Sequence, residues 1–428
     1  MKKYHIITFG CQMNVSDSER VAAVFEHLNY SAVKDADDAD VIVINACSVR
    51  QTAIDRIWGL TRDLNKLRAS KGVKLILTGC VLPEDGTKMT ARFDLIFEIK
   101  KLGELEKFLQ QKQEFTGEDY FATTPLSDAP FSRFVPIMTG CDNYCSYCAV
   151  PFVRGREQSR PVKDVLAEIK ALVQSGAKEI CLLGQNVNSY NPADKESFAA
   201  ANPFHHAFAK LLWEVNRLDG IERINFAASH PKDVSDELIE ALKLPKQLNY
   251  LHLAVQSGDD EVLARMNRKY TAADYEKIIQ KIRTARPEMA IGTDIIVGFP
   301  GETRTQFENT LRLYERVRFD IAYLSMYSPR AGTAAAKLVD DVPHEEKKRR
   351  WRELQDLMEK IVLEKNQKYL GRAVEVLIDK VEKAFVEGNS REMKRVRVYG
   401  DSRLNTGDVV SVEIEEAMMW ILAGKTVD

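Results

Sequence analysis

Apolar runs of strand length alternate with stretches of helical periodicity through roughly the first 110 residues. Three of the runs end in a small residue and a cysteine: His5–Gly10 before Cys11, Val41–Ala46 before Cys47, and Leu75–Gly79 before Cys80. Between the first two, Ser16-x-x-Glu19 predicts a capping box that opens a helix with Val21, Val24, Phe25 and Leu28 turned inward. Near-continuous apolar strands separated by helices predict a parallel sheet covered on both faces. The carboxyl ends of such strands share one edge, where ligands bind. Cys11, Cys47 and Cys80, 36 and 33 positions apart, are therefore expected to converge.

Residues 111–133 are polar, contain Pro125 and Pro130, and lack periodicity, which reads as a linker. A second strand–helix series follows. Its candidate strands are 134–139, 179–183, 223–228, 249–255, 290–297 and 319–326, with helices at 161–174, 233–243, 271–284 and 303–317. Six such units fit a full or partial (β/α)6 barrel with the unusual residues at the strand ends. Residues 343–368 read as one long charged helix. Beyond Gly371 the period falls to two, with Val374, Val376 and Ile378, then Val396 and Val398, then Val410, Val412 and Ile414. Glu387-Gly388-Asn389 and Asn405-Thr406-Gly407-Asp408 read as turns, giving a small antiparallel β-barrel. The fold expected is α/β: a three-layer parallel-sheet domain at 1–116, a linker at 117–133, a partial barrel at 134–361 and a β-barrel at 362–428.

Composition is that of a globular chain, with 45% hydrophobic and 29% charged residues among 428. Lys+Arg 61 against Asp+Glu 63 excludes a generally basic nucleic-acid coat and leaves room only for local patches. The opening MKKYHIITFGC has an apolar run too short for a secretory leader, and no stretch approaches the ~18 apolar residues of a membrane span. The expectation is a cytoplasmic protein without membrane attachment, whose seven cysteines serve as metal ligands, reactive thiols or core residues.

Cys141-x₃-Cys145-x₂-Cys148 follows a strand directly, and three thiolates within eight residues suit a soft metal centre. The spacing differs from the C-x₂-C pairs of zinc ribbons. Three ligands on a cubane cluster leave one iron open for a substrate, whereas a zinc reading needs a distant fourth ligand such as His205 or His206. With Tyr147 before the last cysteine, the motif resembles the radical S-adenosylmethionine (SAM) superfamily. ITFGCQMN at 7–14, TGCDNYCSYCAVPFVRGREQSRP at 139–161 and LLGQNVNSY at 182–190 resemble the MiaB-type tRNA methylthiotransferases more narrowly. The resemblance covers nearly the whole chain, ending in a domain of the TRAM type.

The resemblance implies two [4Fe–4S] clusters. One, on Cys141, Cys145 and Cys148, binds SAM and cleaves it to a 5′-deoxyadenosyl radical. The other is auxiliary, on Cys11, Cys47 and Cys80, and donates or carries sulfur. Cys181, inside a strand, fits neither set and reads as a core thiol. Gly184, Gln185 and Asn186 stand where radical SAM proteins usually hold the methionine amino group, here with amides replacing the usual acidic residue. Gln256 and Ser257 follow a strand and are candidates for the ribose or carboxylate of SAM. Ser229 and His230 also end a strand, His230 being either a proton or hydrogen-bond partner or a structural turn residue. Asp294, inside an apolar strand, is either ion-paired or turned to the site. Arg330 is a candidate for anion contact at the barrel mouth.

Arg154, Arg156 and Arg160 suit phosphate or carboxylate, from tRNA or from SAM, unless they form a surface paired with Glu157. Lys347–Arg350 with Arg352, and Arg391, Lys394, Arg395, Arg397 and Arg403 on the last domain, are candidate RNA-facing patches or solvated charged faces. The function implied is radical methylthiolation at C2 of N6-isopentenyladenosine in the tRNA anticodon stem-loop, using two SAM molecules per turnover. A reducing system such as flavodoxin or ferredoxin is implied as partner, and a monomer is expected. N6-threonylcarbamoyladenosine or a ribosomal-protein aspartate are alternative substrates. A noncatalytic iron–sulfur protein for RNA binding or electron transfer is the alternative of another class.

Overall fold

The computed structural model describes residues 1–48, 51–110, 120–121, 123–126, 130–400 and 403–427, apart from the side chain of Thr52. Much of the expected linker, at 117–119, 122 and 127–129, lies outside the described residues. The chain forms two compact units: Met1–Asp128 with Met138–Arg160 and Ser328–Ala336, and Ala129–Ile137 with Pro161–Tyr327 and Lys337–Asp428.

In the first unit, β1 (Lys3–Thr8), β2 (Ser31–Ala32), β3 (Val41–Cys47), β4 (Lys74–Cys80) and β5 (Leu95–Ile96) form a parallel sheet in the order β2-β1-β3-β4-β5. Every residue of β3 is buried, because the strand sits between two apolar layers. Val41 and Val43 pack with Val21 and Phe25 of α1 (Gln12–His27), whereas Ile42 and Ile44 pack with Ile54, Ile57 and Leu64 of α2 (Gln51–Lys71). The first helix opens earlier than its sequence suggests. Cys11 is its N-cap, and the Cys11 amide donates to Asn14 Oδ1 at 3.3 Å, so Ser16 lies inside the helix and is buried.

In the second unit, six parallel strands follow one another: β6 (Ser132–Pro136), β7 (Glu179–Leu183), β8 (Arg223–Phe226), β9 (Tyr250–His252), β10 (Ala290–Val297) and β11 (Ile321–Met326). Two three-stranded sheets, β8-β7-β6 and β9-β10-β11, are joined by single bridges such as Ile224 to Gln247 and Ser229 to Leu253. This is the partial barrel. Its helices begin where side-chain oxygens replace missing backbone acceptors, as Thr271 caps α3 (Ala272–Ala285) and Thr303 caps α4 (Arg304–Val317). The long helix α5 (His344–Asn366) buries Leu354, Met358 and Ile361.

Five further strands, β12 (Ala373–Val381), β13 (Phe385–Ser390), β14 (Arg395–Tyr399), β15 (Val409–Ala417) and β16 (Leu422–Thr426), close a barrel in the order β12-β13-β14-β16-β15. Val376, Ile378, Val396, Val398, Val412 and Ile414 fill it, as the two-residue period predicts. One pairing, β14 with β16, is parallel. Glu387-Gly388-Asn389 is not a turn but lies within β13, where a Cβ on Gly388 would stand 2.0 Å from the Leu377 carbonyl oxygen. Glycine is there for close strand approach. The turn after β13 docks on the partial barrel: Arg391 donates to the carbonyls of Pro245 and Gln247, and buried Arg223 donates to that of Ser390.

Candidate functional site

In the first unit the three strand-end cysteines come together. Cys47 and Cys80 are register partners at the ends of β3 and β4, and Cys11 follows β1 on the neighbouring side. Burial pushes the Cys80 thiol up to about 12, Arg154 opposes this, and Cys47 and Cys11 stand close enough to add to the rise. Their placement depends on two asparagines. Asn14 Nδ2 donates to Asn45 Oδ1 at 3.0 Å and to the Ala46 carbonyl at 3.1 Å, and Asn45 Nδ2 donates to the Asn14 carbonyl at 2.7 Å. Gly79, at φ +100°, leaves no room for a side chain against Asn45.

Cys141, Cys145 and Cys148 lie in a loop held by a short hairpin of Met138–Thr139 with Gln158–Ser159. Gly140, at φ +77°, lets the chain pass within Cβ-clash distance of the Arg156 carbonyl. The Cys141 amide donates to Gly155 O, and that of Cys148 to Cys145 O. Tyr144 takes a positive φ of 48°, the kind of local strain that a tight ligand loop holds. Cys141 is buried, and burial pushes its thiol up; Cys145, Tyr147 and Cys148 are partly exposed. Cys181 is buried inside β7, where burial pushes its thiol up as well.

Among the described residues, no three His, Cys, Asp or Glu side chains are close enough to share one metal ion. A four-iron cluster takes each thiolate on a different iron, which sets its ligands wider apart than a single ion does. Two sets of three thiols, each on a tightly held backbone, suit that donor chemistry.

In the second unit, the strand ends carry polar atoms that the protein does not satisfy. Gln185 Oε1 and Asn186 Oδ1 after β7, Ser229 Oγ after β8 and Gln256 Oε1 after β9 are buried without a hydrogen-bond partner among the described residues. Each such group costs about 1–3 kcal/mol unless a ligand pairs it. Gln256 also takes a positive φ of 70°, and Ala228, beside Ser229, one of 68°. The ammonium and ribose hydroxyls of SAM are donors of the kind these oxygens lack. Gly184 opens the turn that carries Gln185 and Asn186.

Other expected site residues have different neighbours. Ser257 is fully buried against Thr310 of α4, its Oγ 3.3 Å from Thr310 Oγ1, because Gly258 brings the backbone onto that helix. His230 accepts the Lys232 amide through Nδ1, and its ring meets Tyr270 edge-on at 5.7 Å. Burial, with Arg268 and Lys232 nearby, lowers its pKa to about 2, so it is a neutral turn residue. Asp294 accepts from His252 Nε2 at 2.8 Å on a half-exposed strand face, which makes it both paired and open. Arg330 donates to Gln51 Oε1 at 2.6 Å inside the first unit.

The arginines are mostly committed. Arg154 is buried on Asp17 and Cys80 rather than presented to a phosphate. Arg156 pairs with Asp142. Arg160 is buried over the Phe121 ring. In α5, Lys347 pairs with Asp340, Lys348 with Glu345, Arg349 with Glu346, Arg350 with Glu302 and Glu346, and Arg352 with Asp356. That basic block is a charge-matched face, not an open cationic patch. On the last barrel, Arg395 and Arg397 share Glu387, and Arg397 covers the Phe385 ring at 4.1 Å. Burial favours the neutral Glu387 carboxyl, but the two guanidiniums hold it below the usual range. Lys394 turns inward to Asp320.

Asp17 and His252 carry no signal in spacing or periodicity, whereas Asn45 stands out as a polar residue in an otherwise apolar strand and Asn14 closes the ITFGCQMN segment.

The model of the Radical SAM superfamily matches residues 135–314, and that of the Uncharacterized protein family UPF0004 matches residues 3–98. A tRNA-2-methylthio-N(6)-dimethylallyladenosine synthase of Thermoanaerobacter sp. (strain X514) is 41% identical, over 99% of this chain and 93% of its own. Relatives with the same name are 39% identical in Clostridium novyi (strain NT), over 100% of this chain and 97% of theirs, and 39% in Neisseria meningitidis (strain MC58), over 100% of both. Among solved structures, the radical S-adenosylmethionine methyltransferase TsrM from Kitasatospora setae shares the fold, with a TM-score of 0.53 at 13% identity over 78% of this chain and 77% of its own. Among the described residues, no helix is long and apolar enough to cross a membrane. The radical SAM family works with a [4Fe–4S] cluster and SAM, and the donor atoms described above suit both. The chain belongs to the radical SAM methylthiotransferases and is an enzyme of that family.

Proposed function

We propose that this enzyme inserts a methylthio group at C2 of N6-isopentenyladenosine-37 in tRNA, the reaction in its relatives' name. The observation that carries this reading is the second set of three thiols, Cys11, Cys47 and Cys80, at neighbouring strand ends. SAM cleavage alone needs only one cluster, whereas sulfur insertion needs a place to hold sulfur. Cys141, Cys145 and Cys148 are assigned to the SAM-binding cluster, with Tyr147 beside them, and the other three to an auxiliary [4Fe–4S] cluster. With both clusters and SAM bound, the cofactors supply a methyl group for sulfur and a hydrogen-abstracting radical for the C–H bond, one SAM for each.

The chain's own part is to bind, orient and exclude water. Gln185, Asn186, Ser229 and Gln256 are the proposed SAM contacts, because their oxygens need donors. Gly184, which precedes the two amides in the chain, is proposed as part of the same contact segment, and Asp294 with His252 offers a polar, half-exposed face for the nucleobase. The domain reading is 1–116 for the auxiliary-cluster domain, 134–361 for the radical SAM core and 362–428 for a TRAM domain that grips the anticodon stem-loop. There, Arg395 and Arg397 would exchange part of their pairing with Glu387 for phosphate. The enzyme is assigned to the cytoplasm as a monomer, with flavodoxin or ferredoxin as electron source.

Mass spectrometry of tRNA nucleosides from a deletion strain tests the assignment. Loss of 2-methylthio-isopentenyladenosine with accumulation of isopentenyladenosine is expected. An unchanged level of the methylthio nucleoside would remove this substrate, and loss of a 2-methylthio-threonylcarbamoyl nucleoside instead would replace it.

A further inference from the structure

Arg154 stands six residues after Cys148 in the chain, yet its side chain belongs to the other set of thiols. Its Nε donates to Cys80 Sγ at 3.0 Å, and its Nη2 donates to Asp17 Oδ2 at 2.5 Å. Both charged side chains are buried, Arg154 at 3% exposure and Asp17 at 0%. Behind them, Tyr120 Oη donates to Asp17 Oδ1 at 2.6 Å, so the carboxylate is held on two sides. A buried ion pair is an expensive way to stabilise a fold, since apolar residues of similar volume often do as well. Here the planar guanidinium gives Nε to a sulfur and its Nη2 to a carboxylate, a fixed fork that the point charge of a lysine does not offer.

We infer that Arg154 and Asp17 set the reduction potential of the cluster carried by Cys11, Cys47 and Cys80, with Arg154 acting as a positioning residue through the Cys80 sulfur. The inference rests on the auxiliary-cluster reading. Reduction adds an electron to a cluster whose ligands already carry negative charge. An N–H bond and a cation at one thiolate stabilise the electron-richer state and raise the potential. Asp17, one bond further out, offsets part of that effect. The buried setting keeps either charge from being screened by solvent. The two residues therefore act in opposite directions on one quantity, which packing alone does not produce.

The test uses the full-length chain with Cys141, Cys145 and Cys148 replaced by alanine, reconstituted anaerobically and titrated redox-potentiometrically with the reduced cluster followed by electron paramagnetic resonance. Arg154→Gln is expected to lower the potential, Asp17→Asn to raise it, and the double variant to return towards the parent. Arg154→Lys keeps the charge and is expected to fall between parent and Arg154→Gln. Because single variants leave a buried charge alone, the charge-free double variant is the one expected to keep parental stability. Equal potentials in all cluster-bearing variants, or shifts of Arg154→Gln and Asp17→Asn in the same direction, overturn the inference alone. A parent that binds fewer than about four irons overturns the three-cysteine reading, and the inference with it.

Discussion

Asn14 and Asn45 grip each other across 31 residues of chain, each amide nitrogen donating to an oxygen of the other residue. Both are fully buried. The pair ties the first turn of α1 to the end of β3, and so ties Cys11 to the edge that carries Cys47 and Cys80. Replacing Asn45 with Val would suit the apolar strand but leave the Asn14 amide short of a partner. Asn45→Val is expected to destabilise the protein by about 2–3 kcal/mol in urea denaturation. A change below about 0.5 kcal/mol would show that the pair does not hold the strand end.

Gly79 makes a sharper version of the same point. At φ +100°, an added Cβ would lie 2.3 Å from Asn45 Oδ1 and 2.4 Å from the Ala46 carbonyl oxygen. Backbone and a buried amide cannot give way, so Gly79→Ala is expected to abolish soluble folded protein or to strip the iron proposed for Cys11, Cys47 and Cys80. Gly72→Ala is the control. Gly72 has φ +72° but open space around it, and the expected cost is about 1 kcal/mol from backbone strain alone. Equal stability of the two variants would contradict the close approach.

The basic run of α5 divides into buried and exposed members. Arg350 donates to Glu302 Oε2 at 2.8 Å and to the Glu302 carbonyl at 2.7 Å, while Arg352 pairs with Asp356 on the surface. Burial pushes the Glu302 carboxyl up, and Arg350 and the Gly298 amide counter it. Arg350→Met would leave Glu302 buried with one fewer partner, at an expected cost of about 3–5 kcal/mol. Arg352→Met should stay within about 0.5 kcal/mol. Denaturation midpoints distinguish them, and similar small effects would mean that the whole run is a solvated face.

His230 gives a pH signature. Its folded pKa, about 2, lies below the usual value near 6.5, because burial and the neighbouring Arg268 and Lys232 oppose a third positive charge. The unfolded chain therefore binds a proton below pH 6.5 that the folded chain refuses. This group's contribution is fully present above pH 6.5 and is lost as pH falls, by about 1.4 kcal/mol per unit below that point. His230→Gln should flatten the decline in stability between pH 6.5 and 4.5, measured by denaturation at each pH. An unchanged slope would mean that another group titrates there.

What the sequence revealed depended on whether the relevant partners share an element. Strand periodicity put Cys47 and Cys80 at matching ends, since a parallel sheet aligns strands of equal length, and the same logic located Gln185, Ser229 and Gln256. The C-x₃-C-x₂-C loop was legible because its spacing is local. Asp17 and Arg154 were not, being 137 positions apart on elements that no periodicity relates. Gly388 misled for a related reason. Beside Asn389 it has the composition of a turn, but its purpose is contact with the Leu377 backbone across the barrel. In the charge block of α5 the exposed members pair within the helix at i,i+3 and i,i+4 spacing, which is legible in the sequence, whereas Asp340 and Glu302, the partners of buried Lys347 and Arg350, come from outside it and are not.

The seven cysteines allow the two cluster assignments to be separated from each other and from the core. Cys145→Ala is expected to abolish 5′-deoxyadenosine formation from SAM under anaerobic dithionite, because the loop loses one of three ligands. Cys47→Ala should keep that cleavage and lose methylthio insertion, because its strand-end set lies in the sheet rather than in the loop. Cys181→Ala, mid-strand in β7, should keep both iron content and cleavage, with at most a modest loss of stability from the missing sulfur. Iron analysis and chromatography of the nucleoside product read all three. Cleavage lost in Cys47→Ala to the same extent as in Cys145→Ala would merge the two sets into one function. Cleavage surviving in Cys145→Ala would remove the loop from SAM chemistry.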